Sequence, residues 1–193
     1  MFTVGALHQA DSAALRTAYA AWRNELAPLA KPLLIVSIGG PTKKCIYGVD
    51  LATELVTSLL PMSYFKRLQD IPRSTFGTTK ILTPHLGHLA WADAFVITAD
   101  SPSMLSEACS TGKPVYVIGA EYCNWRVSDF HKTMRERGAA RPFTGLEDVS
   151  SIANPHYLQL FISSSWSYPP LNDSAEVAHC ICEAIAEQGW KIG

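Results

Sequence analysis

The sequence predicts an α/β fold, doubly wound and mostly parallel, on three observations. Residues 94–99 form a short apolar run bounded by polar residues, too short for a free-standing helix, and therefore read as a buried strand. Residues 98–115 then spell strand, turn, helix and strand in order, which is the signature of parallel neighbours. Residues 33–38 form a second apolar run that leads into Gly39-Gly40-Pro41-Thr42 and a further helical pattern, a second unit of the same kind.

Within the central unit each residue type has a local reason. Ser101 offers an N-cap hydroxyl, and Pro102 stands at the first helical position, where its missing N–H costs nothing. Met104, Leu105 and Ala108 give the helix an apolar stripe, Gly112 supplies a left-handed stop, and residues 114–119 form the next strand. In the earlier unit Asp50 is the expected cap of a helix carrying Ala52, Leu55, Val56 and Leu59. Ahead of both units, Asp11 caps one helix with Leu15, Ala18, Tyr19, Trp22 and Leu26 at helical spacing, ended by Pro28 and Pro32. Leu86 to Trp91 reads as a short helix. Asn124 caps another through Val127, Phe130 and Met134, closed at Gly138, and Asp173 with Glu176 forms a capping-box pattern for a last helix that Gly189 ends. Residues 1–30 hold a leading helix and 31–193 the α/β domain, irregular over 61–80 and with an apolar stretch over 152–162 that fits no element.

Composition narrows the function classes. The chain has 193 residues, is 48% hydrophobic and carries 16 basic against 17 acidic residues, for a net charge of -1. That is enough apolar material for a packed core, and no basic cluster exceeds Lys43-Lys44, so nucleic acid is not an expected partner. Five cysteines without a C-x-x-C pair suit a reducing compartment better than a disulfide framework. The longest apolar run falls far short of a membrane span, and the N-terminus lacks the basic flank of a signal peptide.

In open α/β sheets ligands sit beyond the carboxyl ends of the strands, which places both turns on one crevice. Ser101 and Ser103, with the free amides of their helix N-terminus, suit one phosphate, and Gly39, Gly40 and Thr42 a second. Glu107, further along the helix, suits ribose hydroxyls. The alternatives are plain N-capping for the serines and a solvated helix face for Glu107. His85 and His88 have metal-like spacing only on a helix, and Gly87 between them argues for a loop. Cys180 and Cys182 point to nearly opposite faces, so one is expected in the core. Asp93 and Asp100 bracket a strand that holds them too far apart for acid-base partnership. No nucleophile and base fall at credible spacing, and G-x-G-x-x-G is missing, so the reading is a binding site and not a catalytic constellation.

Several motifs in the same order resemble the mitochondrial fission protein ELM family, its plant members most closely. They are Ile38-Gly39-Gly40-Pro41-Thr42, Gly87-His88-Leu89-Ala90-Trp91-Ala92-Asp93-Ala94, the 98–115 run, Arg135-Glu136-Arg137-Gly138 with Arg141-Pro142-Phe143-Thr144-Gly145, and Trp166-Ser167-Tyr168-Pro169-Pro170-Leu171-Asn172-Asp173. The core of the 98–115 run is also similar to the donor-domain motif of GT-B-type glycosyltransferases. The resemblance implies a Rossmann-like sheet, the C-terminal donor half of a GT-B fold. It implies that Gly39, Gly40 and Thr42 face a diphosphate, that Ser101 and Ser103 approach it, that Glu107 takes the ribose and that His85 and Leu86 lie near the base of a nucleotide-sugar. It implies no required cofactor and no catalytic residue. It further implies recruitment of a dynamin-related GTPase to the cytosolic face of the mitochondrial outer membrane, without a transmembrane segment. Family members carry a further α/β half upstream, so the resemblance implies a truncated member in which 1–30 is an interdomain segment and 150–164 an insertion between family motifs.

Overall fold

The computed structural model describes residues 5–29, 31–51, 53, 55, 84–143 and 168–187. The expected irregular stretch 61–80, the insertion 150–164 and Gly189 lie outside them.

Four strands form one parallel sheet in the order β1 (Leu34–Ser37), β2 (Ala94–Thr98), β3 (Val115–Ile118) and β4 (Arg141–Pro142). Phe95 stands opposite Ile35 on one side and Val115 on the other, so the register runs unbroken across the centre. Every residue of β2 and β3 is buried, as expected of strands covered on both faces.

Side chains alternate across the sheet and seed two cores. One face presents Ile35, Phe95, Ile97, Val115 and Val117 to Leu89, Leu105, Ala108, Cys109 and Met134. These come from the helices α3 (Pro84–Trp91), α4 (Pro102–Cys109) and α5 (Trp125–Glu136). The other face presents Val96, Tyr116 and Ile118 to Leu51, Leu55 and Phe143. Helical residues on both faces of a parallel sheet make the Rossmann-like α/β fold that the sequence predicts.

Most caps form as the residue types dictate. Asp11 accepts from the amides of Ala13 and Ala14 ahead of α1 (Ser12–Ala21), Ser101 accepts from Met104 ahead of α4, and Asn124 accepts from Val127 ahead of α5. Gly112 and Gly138 take φ of 71° and 70°, the left-handed stops that a side chain would resist.

Several elements differ from expectation. The single helix expected around Leu15 to Leu26 divides at Trp22, which separates α1 from α2 (Arg23–Leu26) and turns its indole into a core with Ala18, Leu26 and Trp91. The helix expected to be capped by Asp50 already includes Val49 and Asp50, so Asp50 lies inside it. Asp173 is likewise the first residue of α6 (Asp173–Glu187), where it is buried and accepts the Gly5 amide at 2.9 Å. His85, Gly87 and His88 all lie within α3 and not in a loop. Gly87 is needed there for packing, because a Cβ would stand 2.5 Å from Trp22 Cγ.

The cysteine reading is also corrected. Cys45 and Cys123 are joined by a disulfide across a sequence separation of 78. Cys180 and Cys182 are both exposed, so neither supplies core.

One buried and one half-buried histidine should make the fold acid-sensitive. His131 is buried, with Nε2 bonded at 2.8 Å to the Ala99 carbonyl and Nδ1 lacking a partner among the described residues. Burial, seconded by repulsion from Arg135, outweighs the Ala99 bond and holds its pKa below the ordinary 6.5. Burial and then His85 lower His88 in the same way. A base with a depressed folded-state pKa takes up protons more readily when unfolded, so stability is full above the ordinary value and lost below it. Thermal melts from pH 7.5 down to 5 should show a falling midpoint, and His131→Gln, which cannot titrate, should flatten that slope. An unchanged slope in the variant would remove His131 from the explanation.

Candidate functional site

The crevice lies where β1 and β2 end. Thr98, the last residue of β2, is buried, and its hydroxyl accepts the Gly39 amide at 2.8 Å. Next to it, Asp100 presents its carboxylate so closely that a Cβ on Gly39 would lie 2.0 Å from Oδ2. Only glycine leaves room at that point. The Tyr47 hydroxyl donates to Asp100 Oδ1 at 2.5 Å, and burial together with this bond pushes the Tyr47 pKa up to about 12, so it remains a donor at neutral pH. An apolar cleft of about 330 Å³ opens beside them, lined by Ile38, Pro41, Val49, Leu51 and Leu55 as well as Gly39, Tyr47 and Thr98.

The predicted site residues fall in two groups, of which Gly39 lines the cleft. The first is the β1 turn, where the Thr42 amide donates to the Cys45 carbonyl at 2.9 Å and the Thr42 hydroxyl accepts from the amides of Lys44 and Cys45. Gly40 is exposed, with open space where a side chain would stand. The second group belongs to α4 and α3. Ser101 is the N-cap, Ser103 is exposed, and Glu107 follows Ser103 by four residues, so the two share a helix face. Glu107 Oε2 lies 2.5 Å from His85 Nε2, with the two side chains 19% and 45% exposed. The fold therefore brings His85 and Glu107 together. Leu86, their neighbour on α3, is half-buried against the cores.

Other pairings expected to be remote are so. Asp93 accepts from Lys31 Nζ and from the Leu33 amide, and Asp100 from Tyr47, which leaves the two carboxylates with separate partners. Asp100, Tyr47 and Thr98 were not legible as a unit. The signal available was the position of Asp100, a carboxylate at a strand end directly before an N-cap.

The profile of the family described as "Mitochondrial fission ELM1" matches residues 1–67 and 63–185. The chain belongs to the mitochondrial fission ELM1 family. "Mitochondrial fission protein ELM1" of Arabidopsis thaliana is 47% identical over 213 aligned positions, which take in 100% of this chain and 47% of that protein. A second relative in the comparison, "Uncharacterized protein RP120" of Rickettsia prowazekii (strain Madrid E), is 29% identical over 184 positions, 82% of this chain and 48% of that protein. The chain thus spans about half the length of the curated relatives it matches. Among the described residues, no helix of this family member is long and apolar enough to cross a membrane, and no group of three or more His, Cys, Asp or Glu is placed to hold a metal ion.

Proposed function

We propose that this chain is a non-enzymatic mitochondrial fission factor that recruits a dynamin-related GTPase to the cytosolic face of the mitochondrial outer membrane. The observation that carries this reading is the 47% identity, across the whole chain, to a mitochondrial fission protein. The crevice gives it physical support. The Gly39 amide is taken by Thr98 and the Ser101 hydroxyl by its own helix. A diphosphate reaching Gly39 would meet the Asp100 carboxylate, and two anions at contact distance repel unless a proton or a cation intervenes. A strand-end crevice where the Gly39 amide and the Ser101 hydroxyl are satisfied within the protein suits a scaffold for protein contacts.

Recruitment has a direct readout. In cells lacking the full-length relative, expression of this chain should move a fluorescent dynamin-related GTPase from the cytosol to mitochondrial puncta. A GTPase that stays diffuse while the chain accumulates would overturn the reading.

The second reading is a nucleotide-sugar-dependent glycosyltransferase, or its non-catalytic remnant. It is favoured by the convergence of His85 and Glu107 on the C-terminal half of α4. Calorimetric titration with nucleoside diphosphates separates the two. Micromolar binding that weakens at least tenfold in Glu107→Ala would support a nucleotide site using Gly39, Gly40, Thr42, Ser101, Ser103 and Glu107. Equal heats of dilution for both proteins would reject it.

A further inference from the structure

We propose that the Cys45–Cys123 disulfide is a reversible redox latch on the turn that follows β1. The bond joins that turn to the segment after β3, at the same end of the sheet as the crevice. Backbone bonds reinforce it on both sides: the Ile46 amide donates to the Tyr122 carbonyl at 3.1 Å, and the Asn124 amide to the Lys44 carbonyl at 2.6 Å. Because Asn124 also caps α5 and Thr42 closes onto Cys45, the latch couples the glycine turn to the start of a helix across the sheet.

Three features suit the pair to both redox states. First, acceptors are in place for both thiols formed on reduction: the Ala99 carbonyl oxygen, which also bonds His131, lies 3.8 Å from the Cys45 sulfur, and the Gly119 carbonyl oxygen lies 3.7 Å from that of Cys123. Second, access is unequal: Cys45 is wholly buried, whereas Cys123 is half-buried. Third, the other cysteines do not compete from within the core, since Cys109 is buried and its thiol is pushed up to about 12 by that burial.

Unequal access fixes the order of events for a dithiol reductant. One reductant thiolate attacks Cys123 Sγ and forms a mixed disulfide; the Cys45 thiolate leaves with the electron pair of the old bond and takes up a proton. The second reductant thiolate then attacks its own mixed-disulfide sulfur and expels the Cys123 thiolate, which is protonated in turn. The chain gains two electrons and two protons, and the reductant ends as its internal disulfide. Residues 42–46 are then held to 122–124 by backbone bonds alone, so the surface beside the crevice depends on the thiol poise of its surroundings. The inference stands apart from the nucleotide reading, because its readouts need no ligand.

The test uses the whole chain. Purified without reductant and denatured, it should titrate three thiols, those of Cys109, Cys180 and Cys182, and five after treatment with dithiothreitol. Hydrogen exchange in the folded protein should quicken at least tenfold on reduction at the amides of Thr42, Ile46 and Asn124, leave those of α4 unchanged, and return on reoxidation. A Cys45→Ser, Cys123→Ser double variant should match the reduced protein. Five thiols before reduction, exchange that does not change, or loss of cooperative unfolding on reduction would each overturn the latch.

Discussion

Replacing Phe95 with alanine should cost about 3–5 kcal/mol, a range typical of aromatic truncation in a packed core. Phe95, the second residue of β2, is 1% exposed, faces the larger core and stands in register with both Ile35 and Val115. The interior cannot close over the vacated volume, because the strands on either side are fixed by backbone hydrogen bonds. In a domain of this size the thermal midpoint should fall by about 6–20 °C. Circular dichroism melts of Phe95→Ala against the wild type give the comparison; a fall under about 3 °C would place Phe95 outside the core described above.

Gly87→Ala should also destabilise, by about 1–3 kcal/mol, although helix propensity alone predicts a gain of nearly 1 kcal/mol from the same change. The sign is set by packing. A Cβ at Gly87 would stand 2.5–2.8 Å from Trp22 Cγ, Cδ1 and Cδ2, the root of a buried ring and not the tip of a flexible chain. Trp22 would have to withdraw from the core it shares with Ala18, Leu26 and Trp91. The double variant Gly87→Ala, Trp22→Ala should relieve the clash, so that the glycine substitution costs less in that background than alone. Equal costs in the two backgrounds would mean that Gly87 and Trp22 do not meet.

The same pair shows why part of the fold was legible and part was not. The unit from β2 through α4 to β3 could be read because its determinants are local: Ser101 caps three residues on, and Gly112 ends its helix with its own backbone. Gly87 is a tertiary residue. Read locally, glycine between two histidines argues against a helix, and only Trp22, far away in sequence, gives it a reason. The last acidic cap failed similarly. Asp173 looks like a cap by its spacing to Glu176, yet its carboxylate is used by the Gly5 amide from the other end of the chain.

The site follows that division. The crevice position came from the rule that strand ends face ligands; of the residues named for it, Gly39 lines the cleft and meets the segment leading into α4, while His85 and Glu107 meet each other on their helices. Their internal partners could not be foreseen. Tyr47 sits in a stretch without periodic pattern, and Cys45 finds Cys123 only through the parallel order of the strands, since nothing in spacing joins residues that far apart.

The central claim, that this family member promotes mitochondrial division, meets its most direct test in plant cells lacking the full-length relative. A tagged copy of this chain, confirmed to accumulate, is expected to shorten their elongated mitochondria measurably toward wild-type length. Mitochondria that keep their elongated form, with the folded chain present, would contradict the account.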